Sequence, residues 1–368
     1  MSLHSISQIA FYLHEGLVRS KRINNFMKDE IYKKFNLNTL TKEQKKEIDN
    51  VWKGINVDYR WFAWFNMFDE NKESWSAYYI PSNIHYSIID MYYTDYKRCR
   101  TIEDKNLNNL LFFDVKQPKT IVRKISNSWF DDNYNIVEPG KVKELLQINK
   151  KYILKPSIDS GGGIGIVIYN PDENTSIDDF IKNIDKCSNC IVQEFAGQYE
   201  GIASLDKNSL NTVRIITFFH NNKVYALSSI IRIGAGGSNI DNASVGGIFC
   251  GINNDGYLKN IAYNDYGDIF RVHPTTNAVF SDHCIPKYTE LVALSERLHN
   301  RLVDFSKLIS WDFAIDESGE PILIEVNATQ GGISFHQMCN GPLFGNLTNE
   351  VIKEVFAKKS NRLLTKIF

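Results

Sequence analysis

A glycine-rich loop between two β-type runs constrains the fold of this chain more than any other feature. YILKP (152–156) and IGIVIY (164–169) are typical of strands, and Gly161, Gly162 and Gly163 lie between them. Backbone N–H groups of such a loop can approach phosphate oxygens, because glycine has no Cβ. A Walker A loop needs Gly-Lys-Ser/Thr after the glycines, and a Rossmann fingerprint needs a helix there. The pattern therefore predicts a flap over a triphosphate, with a simple tight hairpin as the alternative.

The rest of the chain predicts mixed α and β structure with antiparallel hairpins rather than a regular βαβ alternation. The predicted strands cover 120–125, 190–195, 212–220, 224–234, 311–315 and 321–327, with Asn221-Asn222 as the turn of one hairpin and 316–319 as the turn of another. Helices are predicted at 176–187, 289–302 and 346–365. A further helix is predicted from the capping box Thr41-Lys-Glu-Gln44 to about Gly54.

The overall composition excludes several classes of protein. At about 150 residues per domain, the length of 368 residues predicts two domains. Lysines and arginines total 42 against 43 aspartates and glutamates, and this net charge of −1 argues against a nucleic-acid binder that relies on overall basicity. No apolar run reaches the ~18 residues that cross a bilayer, and the N-terminus lacks the features of a signal peptide. We therefore expect a cytoplasmic protein with no membrane span and no nucleic-acid partner.

The cysteines do not indicate a metal site. Cys187 and Cys190 form the one Cys-x-x-Cys pair, and no second pair and no histidine at finger spacing follows. A structural zinc site needs four ligands. The sequence therefore predicts reduced, inert thiols.

Residues 61–100 are unusually rich in aromatic side chains. WFAWFNMF, WSAYYIP and MYYTDY follow one another within this stretch. The pattern favours a packed core or a domain interface, and an aromatic surface that stacks on sugars or bases is the alternative.

Lys155 is a candidate phosphate ligand. It lies on an apolar strand, where a lone cation is costly unless it meets an anion. The alternative is a side chain that extends to solvent.

Three oxygen-bearing side chains at the C-terminal hairpin predict a magnesium site. Glu325 and Asn327 are two residues apart on a strand and therefore face the same way, about 6–7 Å apart. If Ile315 pairs with Ile322, Asp312 lies opposite Glu325. Two buried carboxylates repel each other, and a hard divalent cation with oxygen ligands removes that repulsion. A solvent-facing strand with incidental acids is the alternative.

Two arginines and a strand end add further candidates. Arg214 and Arg232 lie on adjacent strands of one hairpin in apolar surroundings, and arginine is the preferred fork donor for phosphate and carboxylate. The strand end Gln193-Glu194-Phe195 suits an adenine, through one flat apolar contact and backbone hydrogen bonds, although a plain strand end has the same pattern.

Two small, polar loops follow these strands. One runs from Gly234 to Gly247 directly after Arg232, and the other begins at Thr329 and leads to His336 and Gln337. Flexible loops at strand ends often carry function, so both are candidates for substrate contact, with an insertion of no function as the alternative.

Taken in order, these segments resemble the ATP-grasp enzymes. Asp104-Lys105-Asn106, Pro118-Lys119-Thr120, Lys155-Pro with its glycine flap, Gln193-Glu194, and Asp312 with Glu325-x-Asn327 follow the order of that superfamily. Ser209 to Arg214, Arg232 to Ser238 with Asp241-Asn242 and Gly246-Gly247, and Val272-His273-Pro274 are more narrowly similar to the sugar-transfer-associated ATP-grasp family. The resemblance covers about 100–345.

The resemblance implies an α+β ATP-grasp fold, in which two α+β subdomains sandwich ATP. It implies a cap at 1–115 similar to a pre-ATP-grasp region, a small lobe at 116–195 and a large lobe at 196–368. It also implies a ligase that uses ATP and Mg²⁺ to activate a carboxylate as an acylphosphate for attack by an amine, in the biosynthesis of cell-surface or capsular polysaccharide. Its partners would be small-molecule or sugar-linked substrates. An ATP-dependent kinase of a hydroxyl group and a non-catalytic nucleotide-binding scaffold are the alternatives.

The same resemblance implies roles for individual residues. Arg232 and Arg214 would be catalytic, and Asp312, Glu325 and Asn327 would hold magnesium. The ATP-binding set would be Lys105, Lys155, Ser160, Gly161, Gly162, Gly163, Gln193, Glu194, Phe195 and Asn211, and the substrate-binding set Asn242, Ser244, Gly246, Gly247, His336 and Gln337. Ala328-Thr-Gln before Gly331-Gly332 departs from many relatives, which predicts an unusual acceptor pocket.

Overall fold

The chain folds into two antiparallel β-sheets and a largely helical N-terminal region. The computed structural model describes residues 3–37, 39–68, 75–158, 163–173, 175–235 and 246–367. The strands are β1 Thr120–Ile125, β2 Ser128–Phe130, β3 Ile136–Val137, β4 Tyr152–Pro156, β5 Val167–Tyr169, β6 Cys190–Glu194, β7 Thr212–His220, β8 Lys223–Ile233, β9 Ile248–Ile252, β10 Leu258–Tyr263, β11 Ile269–Phe270, β12 Leu308–Ile315 and β13 Pro321–Asn327.

The α-helices are concentrated at the two ends of the chain. They are α1 Leu3–Phe26, α2 Tyr32–Lys34, α3 Lys42–Val51, α4 Tyr59–Asn66, α5 Ser82–Ile84, α6 Asp90–Tyr93, α7 Tyr96–Ile102, α8 Asn108–Leu111, α9 Val142–Leu145, α10 Ile177–Lys186, α11 Glu200–Ala203, α12 Tyr288–His299, α13 Ile333–Asn340, α14 Thr348–Val355 and α15 Lys359–Leu364. Two π-helical segments, Met27–Ile31 and His85–Ile89, interrupt the N-terminal helices. None of the described helices is long and apolar enough to cross a bilayer.

The six-stranded small sheet has one apolar face and one polar face. Its strand order is β3-β2-β1-β6-β4-β5. Because side chains alternate along a strand, Leu154 and Val192 lie on the face that packs against Phe180 and Ile184 of α10. Ser176 caps α10 by accepting a hydrogen bond from the backbone N–H of Asp179. The opposite face is left for the polar residues of β1, β4 and β6.

The seven-stranded large sheet is covered on both faces. Its order is β11-β10-β9-β8-β7-β12-β13. One face packs against α12 through residues such as Ile215, Ile231 and Trp311. The other face packs against α13, α14 and the N-terminal helices through residues such as Ile216 and Ile230. Arg214 and Asp312 alternate with the first set and so belong to the second face.

The two predicted hairpins of the large sheet are confirmed, one of them with a change of register. Asn221 and Asn222 both have positive φ, 49° and 59°, as a two-residue primed turn between β7 and β8 requires. In the other hairpin Ile315 pairs with Pro321 and not with Ile322. A register shift between Asp312 and Phe313 then compensates, so that Asp312 lies opposite Glu325 after all.

The aromatic stretch at 61–100 forms core, as the sequence favours. Trp61, Trp64 and Phe65 of α4 are 3%, 2% and 0% exposed, and they join one cluster with Phe218 and Phe249 of the large sheet. The N-terminal region is therefore anchored on the large sheet by apolar burial, the dominant favourable contribution to folding.

Candidate active site

The polar face of the small sheet carries a row of buried cations. Arg123 of β1 and Lys155 of β4 both pair with Ile191 of β6, which places all three side chains on one face. Arg123 is 0% and Lys155 8% exposed. The Lys155 ammonium donates to Gln193 Oε1 at 3.3 Å, so two of the predicted ATP-binding residues are in contact. Burial lowers the pKa of Arg123, although nearby Tyr134 and Asp132 oppose that effect.

Four buried polar atoms beside this face have no hydrogen-bond partner among the described residues. They are Asn106 Oδ1, Thr120 Oγ1, Arg123 Nε and Ser157 Oγ. Leaving a buried donor or acceptor unsatisfied costs about 1–3 kcal/mol, and native proteins satisfy nearly all such groups. Their proximity along β1, β4 and the 104–108 segment therefore favours a polar ligand at this face.

The glycine-rich loop connects β4 to β5, which pair antiparallel through Leu154 and Val167. Gly163 and Gly165 have φ of 78° and 77°, and a Cβ at Gly165 would lie 2.7 Å from Pro156 Cγ. Both positions therefore require glycine. Ser160, Gly161 and Gly162 lie outside the described residues.

The backbone amides at the end of β6 are already used. The N–H of Glu194 donates to Lys119 O and that of Phe195 to Lys151 O, both at 2.9 Å. The Glu194 carboxylate lies 2.8 Å from the Lys150 ammonium, and the Phe195 ring lies 4.1 Å below the Lys151 ammonium. An adenine at this strand end would thus find backbone carbonyls and an aromatic ring, but not these two N–H donors.

Lys105 links the two sheets. Its backbone N–H donates to Ser157 O at 3.0 Å, and its ammonium lies 2.7 Å from Glu325 Oε1. One lysine therefore joins Ser157, which follows β4 of the small sheet, to Glu325 of the large sheet. The resemblance predicts an ATP contact for Lys105, whereas the structure places its ammonium on Glu325, a predicted metal ligand.

Asp312 is the centre of a charged cluster on the large sheet. It is 0% exposed. Arg214 binds it with both Nε and Nη2, each at 2.7 Å, and Arg232 Nη2 lies 3.2 Å from its Oδ2. Asn327 Nδ2 donates to the same Oδ2 at 3.3 Å. Arg232 in turn donates to Thr212 Oγ1 at 3.0 Å, which fixes the orientation of its guanidinium.

The cluster keeps Asp312 ionised. Burial alone would raise the pKa of Asp312, but the positive charges of Arg214 and Arg232 and the hydrogen bonds from Arg214 and Asn327 outweigh burial. The pKa therefore lies below that of an ordinary aspartate. The ionised carboxylate therefore holds the two guanidinium groups in place on this face of the large sheet.

The segment after β13 is partly helical, which corrects the prediction of a loop through 337. Helix α13 begins at Ile333, so His336 and Gln337 are helical and buried. His336 Nδ1 bonds to Ser228 Oγ at 2.9 Å, and burial together with Arg214 lowers its pKa to about 3. Gln337 donates to Ile80 O at 2.9 Å and accepts from Ile80 N at 2.8 Å. Its side chain therefore holds the N-terminal region in place.

Of the predicted substrate loop at 234–247, the structure describes the two ends, and it places the Asn211 side chain in local backbone contacts. Gly246, with φ of 96°, and Gly247 begin the approach to β9, whereas Asn242 and Ser244 lie outside the described residues. The Asn211 side chain donates to Ile202 O and Asp206 O, both at 3.0 Å. These bonds fold the 202–211 segment before β7.

Comparison with known proteins identifies the family. The family model of the sugar-transfer associated ATP-grasp proteins matches residues 90–353, well over half of the chain. The chain belongs to this family. The α+β ATP-grasp fold follows from the match, as the sequence predicts. No curated protein matches this ATP-grasp chain.

Solved ATP-grasp structures are similar only at low identity. D-alanyl-alanine synthetase A from Vibrio cholerae is 12% identical over 72% of this chain and 63% of its own, with a TM-score of 0.38. L-amino acid ligase from Bacillus licheniformis is 14% identical over 70% of this chain and 48% of its own, with a TM-score of 0.39. The matched part of this ATP-grasp chain thus spans about half to two thirds of those proteins.

The residues present fit a magnesium ion. Glu325 and Asn327 offer hard oxygen ligands on one face, and Mg²⁺ is usually bound by one or two carboxylates together with substrate phosphates. Asp312 Oδ1 accepts one of the described hydrogen bonds while Oδ2 accepts the others, so Oδ1 retains an acceptor position. The Asn327 amide, which turns its nitrogen to Asp312, leaves its oxygen for another partner.

The structure adds residues beside the candidate site to which the sequence assigns no role. Arg123, Thr120 and Ser157 line or flank the polar face, and Thr212 orients Arg232. The alternation in TIVRKI could have shown that Arg123 faces away from Val122. Ser157 and Thr212 carry no signal of their own, since only the folded register brings them to the candidate site.

Proposed function

We propose that this chain is an ATP-dependent ligase that activates a carboxylate as an acylphosphate and joins it to an amine in the biosynthesis of cell-surface polysaccharide. The observation that carries the proposal is that Lys105 joins the two sheets, through its backbone hydrogen bond to Ser157 and its ion pair with Glu325. Buried Lys155 lies on the small sheet, and the Arg214–Asp312–Arg232 cluster lies on the large sheet with Glu325 and Asn327. Membership of the ATP-grasp family supports the use of ATP.

In this proposal the small sheet binds the nucleotide. Lys155 and Lys105 hold the phosphates, and Gly163, with the preceding Ser160, Gly161 and Gly162, closes over them. Gln193, Glu194 and Phe195 frame the adenine. The four unsatisfied polar atoms at this face support a polar ligand there. Glu325, Asn327 and Asp312 would hold Mg²⁺, which would neutralise phosphate charge when bound.

The two arginines stabilise the charge that develops during transfer. Arg232 and Arg214 are held by Asp312 and Thr212 before any substrate arrives. Donors that are fixed in advance need no reorganisation during the reaction, which is why they stabilise a transition state effectively. Phosphorylation gives the acyl carbon a good leaving group, so the enzyme must mainly align three reactants, and such alignment supplies about 7–11 kcal/mol.

The substrate would lie beside the arginines. Gly246, Gly247 and His336, with Asn242 and Ser244, form the proposed substrate side. Gln337 acts there indirectly, because its amide is occupied by the backbone of Ile80.

The nucleotide site is tested with a matched pair of lysine variants. Lys155→Ala should weaken Mg-ATP binding by at least about tenfold, because a buried charge-assisted contact is lost. Lys124→Ala is the control, since Lys124 is equally buried on the adjacent part of the small sheet but faces α10, where it donates to Asp185 O at 2.8 Å. Calorimetry that finds equal ATP affinity in Lys155→Ala and wild type would refute the phosphate role.

The reaction is tested by following the γ-phosphate. Labelled ATP is incubated with pairs of acids and amines, and the ligase proposal expects free phosphate and an amide in equal amounts. Label that accumulates on a sugar hydroxyl with no free phosphate would instead establish a kinase. ATP binding without any transfer to acid, hydroxyl or water would establish a nucleotide-binding scaffold.

A further inference from the structure

A cavity lies between the N-terminal helices and the segment that follows β13. Its volume is about 240 Å³. Trp61, Trp64, Tyr86 and Phe335 supply aromatic walls, and Gly332 forms part of the rim. The aromatic stretch therefore forms core, and some of its rings also line this cavity.

The cavity borders the arginine cluster. A Cβ on Gly332 would lie 3.1 Å from Arg214 Nη1 and 3.8 Å from Phe335 Cδ2. The Phe335 ring packs on Phe249 at 4.5 Å between centroids, and Phe249 is the strand partner of Arg232. A molecule in the cavity would therefore be close to Arg214, which shares Asp312 with Arg232.

Polar groups are distributed around the aromatic walls. Trp61 Nε1 is buried with no hydrogen-bond partner among the described residues. The hydroxyl groups of Ser82 and Ser334 bond to each other at 2.9 Å at the wall. Asp265 also lines the cavity, and burial raises its pKa to about 6. Arg22 donates to Gln330 Oε1 at 2.8 Å at the rim.

We propose that this cavity binds the acceptor of the ligation and that the acceptor is an amino sugar. Flat aromatic faces suit the apolar faces of a sugar ring, while the hydroxyl groups of Ser82 and Ser334 suit the hydroxyl groups of the sugar. The Asp265 carboxylate suits an ammonium group. Pockets for drug-sized ligands enclose about 300–1,000 Å³, so this smaller cavity suits a single ring. The inference rests on the proposed ligase function.

The chemistry balances without any further reactant. The bound ammonium loses one proton to water, and its nitrogen then attacks the acyl carbon of the acylphosphate. The C–N bond forms, the C–O bond to phosphate breaks, and phosphate leaves with the electron pair. The nitrogen loses its second proton to the departing phosphate, which leaves an amide on the sugar.

Binding is tested by titrating the protein with single-ring probes. D-Glucosamine and D-galactosamine should change the fluorescence of Trp61 and Trp64 in a saturable manner, with and without Mg-ADP. D-Glucose, which lacks the amine, and cyclohexylamine, which lacks the hydroxyls, should each bind at least about tenfold more weakly. Equal or tighter binding of cyclohexylamine would overturn the sugar assignment, and no binding of either amino sugar would overturn the inference as a whole.

Two variants place the binding in the cavity. Asp265→Asn should weaken amino sugar binding at least about tenfold and leave glucose unchanged, because only the ammonium contact is lost. Asp255→Asn is the control, since Asp255 occupies the β9–β10 turn and does not line the cavity. Ser334→Leu should fill the cavity and abolish binding, and a circular dichroism spectrum identical to wild type would show that it folds.

ATP affinity is measured in the same samples to separate this inference from the proposed function. Intact ATP binding with unaltered amino sugar binding in Asp265→Asn and Ser334→Leu would overturn the acceptor site alone. Failure of wild type to bind Mg-ATP would overturn the ligase proposal instead.

Discussion

Replacement of Asp312 by Asn is expected to destabilise the protein strongly. The carboxylate is 0% exposed and accepts from two guanidinium groups and one amide. Asn keeps the size but removes the charge, and its NH₂ group must face one of these donors. Removing one partner of a buried ion pair costs about 3–5 kcal/mol. Because the Arg214 and Arg232 side chains keep 11% and 15% of their surface exposed, we expect the lower end, about 3 kcal/mol.

Urea unfolding followed by the fluorescence of buried Trp311, the neighbour of Asp312, measures this loss. Asp114→Asn is the matched control, because Asp114 is also bound by two arginines, Arg297 and Arg301, but at the surface. Surface ion pairs contribute little, so the control should unfold close to wild type. If the free energy of unfolding of Asp312→Asn is also within about 1 kcal/mol of the wild-type value, the reasoning that burial makes this cluster important for stability is refuted.

The same variant should change the acid dependence of stability. The folded-state pKa of Asp312 is lowered, so its stabilising contribution is complete above the unfolded pKa of about 3.9. The contribution is lost as the pH falls through the folded pKa. The difference between wild type and Asp312→Asn should therefore be constant from pH 5 to 8 and should shrink below about pH 4.

Three further substitutions test other parts of the structure. Burial raises the pKa of Asp90 to about 7, so between about pH 4 and 7 the folded state binds a proton that the unfolded state has lost. The free energy of unfolding of wild type, measured with urea, should therefore fall relative to that of Asp90→Asn as the pH rises from about 5 to 8. Gly332→Ala, at φ of 76° and 3.1 Å from Arg214 Nη1, should lose about 1–2 kcal/mol and most of its transfer activity, measured by phosphate release. Asn211→Ala should lower the unfolding free energy by about 1–3 kcal/mol, because Ile202 O and Asp206 O lose a buried donor.

Local sequence patterns predict the bounds of three strands correctly. Thr120–Ile125, Tyr152–Pro156 and Pro321–Asn327 have the predicted bounds, because alternation and β-branched residues mark them. The strands β9 and β10 were missed, since glycine, cysteine and asparagine interrupt their pattern. Helix α13 was missed because it begins after Gly332 with no side-chain cap, so its N-terminus has no capping signal.

The site was less predictable than the strands because its contacts join distant parts of the chain. Alternation along a strand places Glu325 and Asn327 on one face. The pairing of Asp312 with Arg214, however, depends on the register between β7 and β12, which local sequence patterns do not determine. The contact between Lys105 and Glu325 depends on how the two sheets meet. Composition alone could not reveal either pairing.

These long-range pairings explain how the protein can bury the charged side chains of the candidate site. Every charge that we assign to phosphate or metal also has a protein partner: Glu325 meets Lys105, Asp312 meets Arg214, and Lys155 meets Gln193. Burying these groups without partners would cost several kcal/mol each. On the proposed function, Mg-ATP must therefore compete with internal contacts rather than fill an open site. On that proposal Glu325 would help to hold the metal and the Lys105 ammonium would bind phosphate, so the ion pair between them must break when Mg-ATP binds.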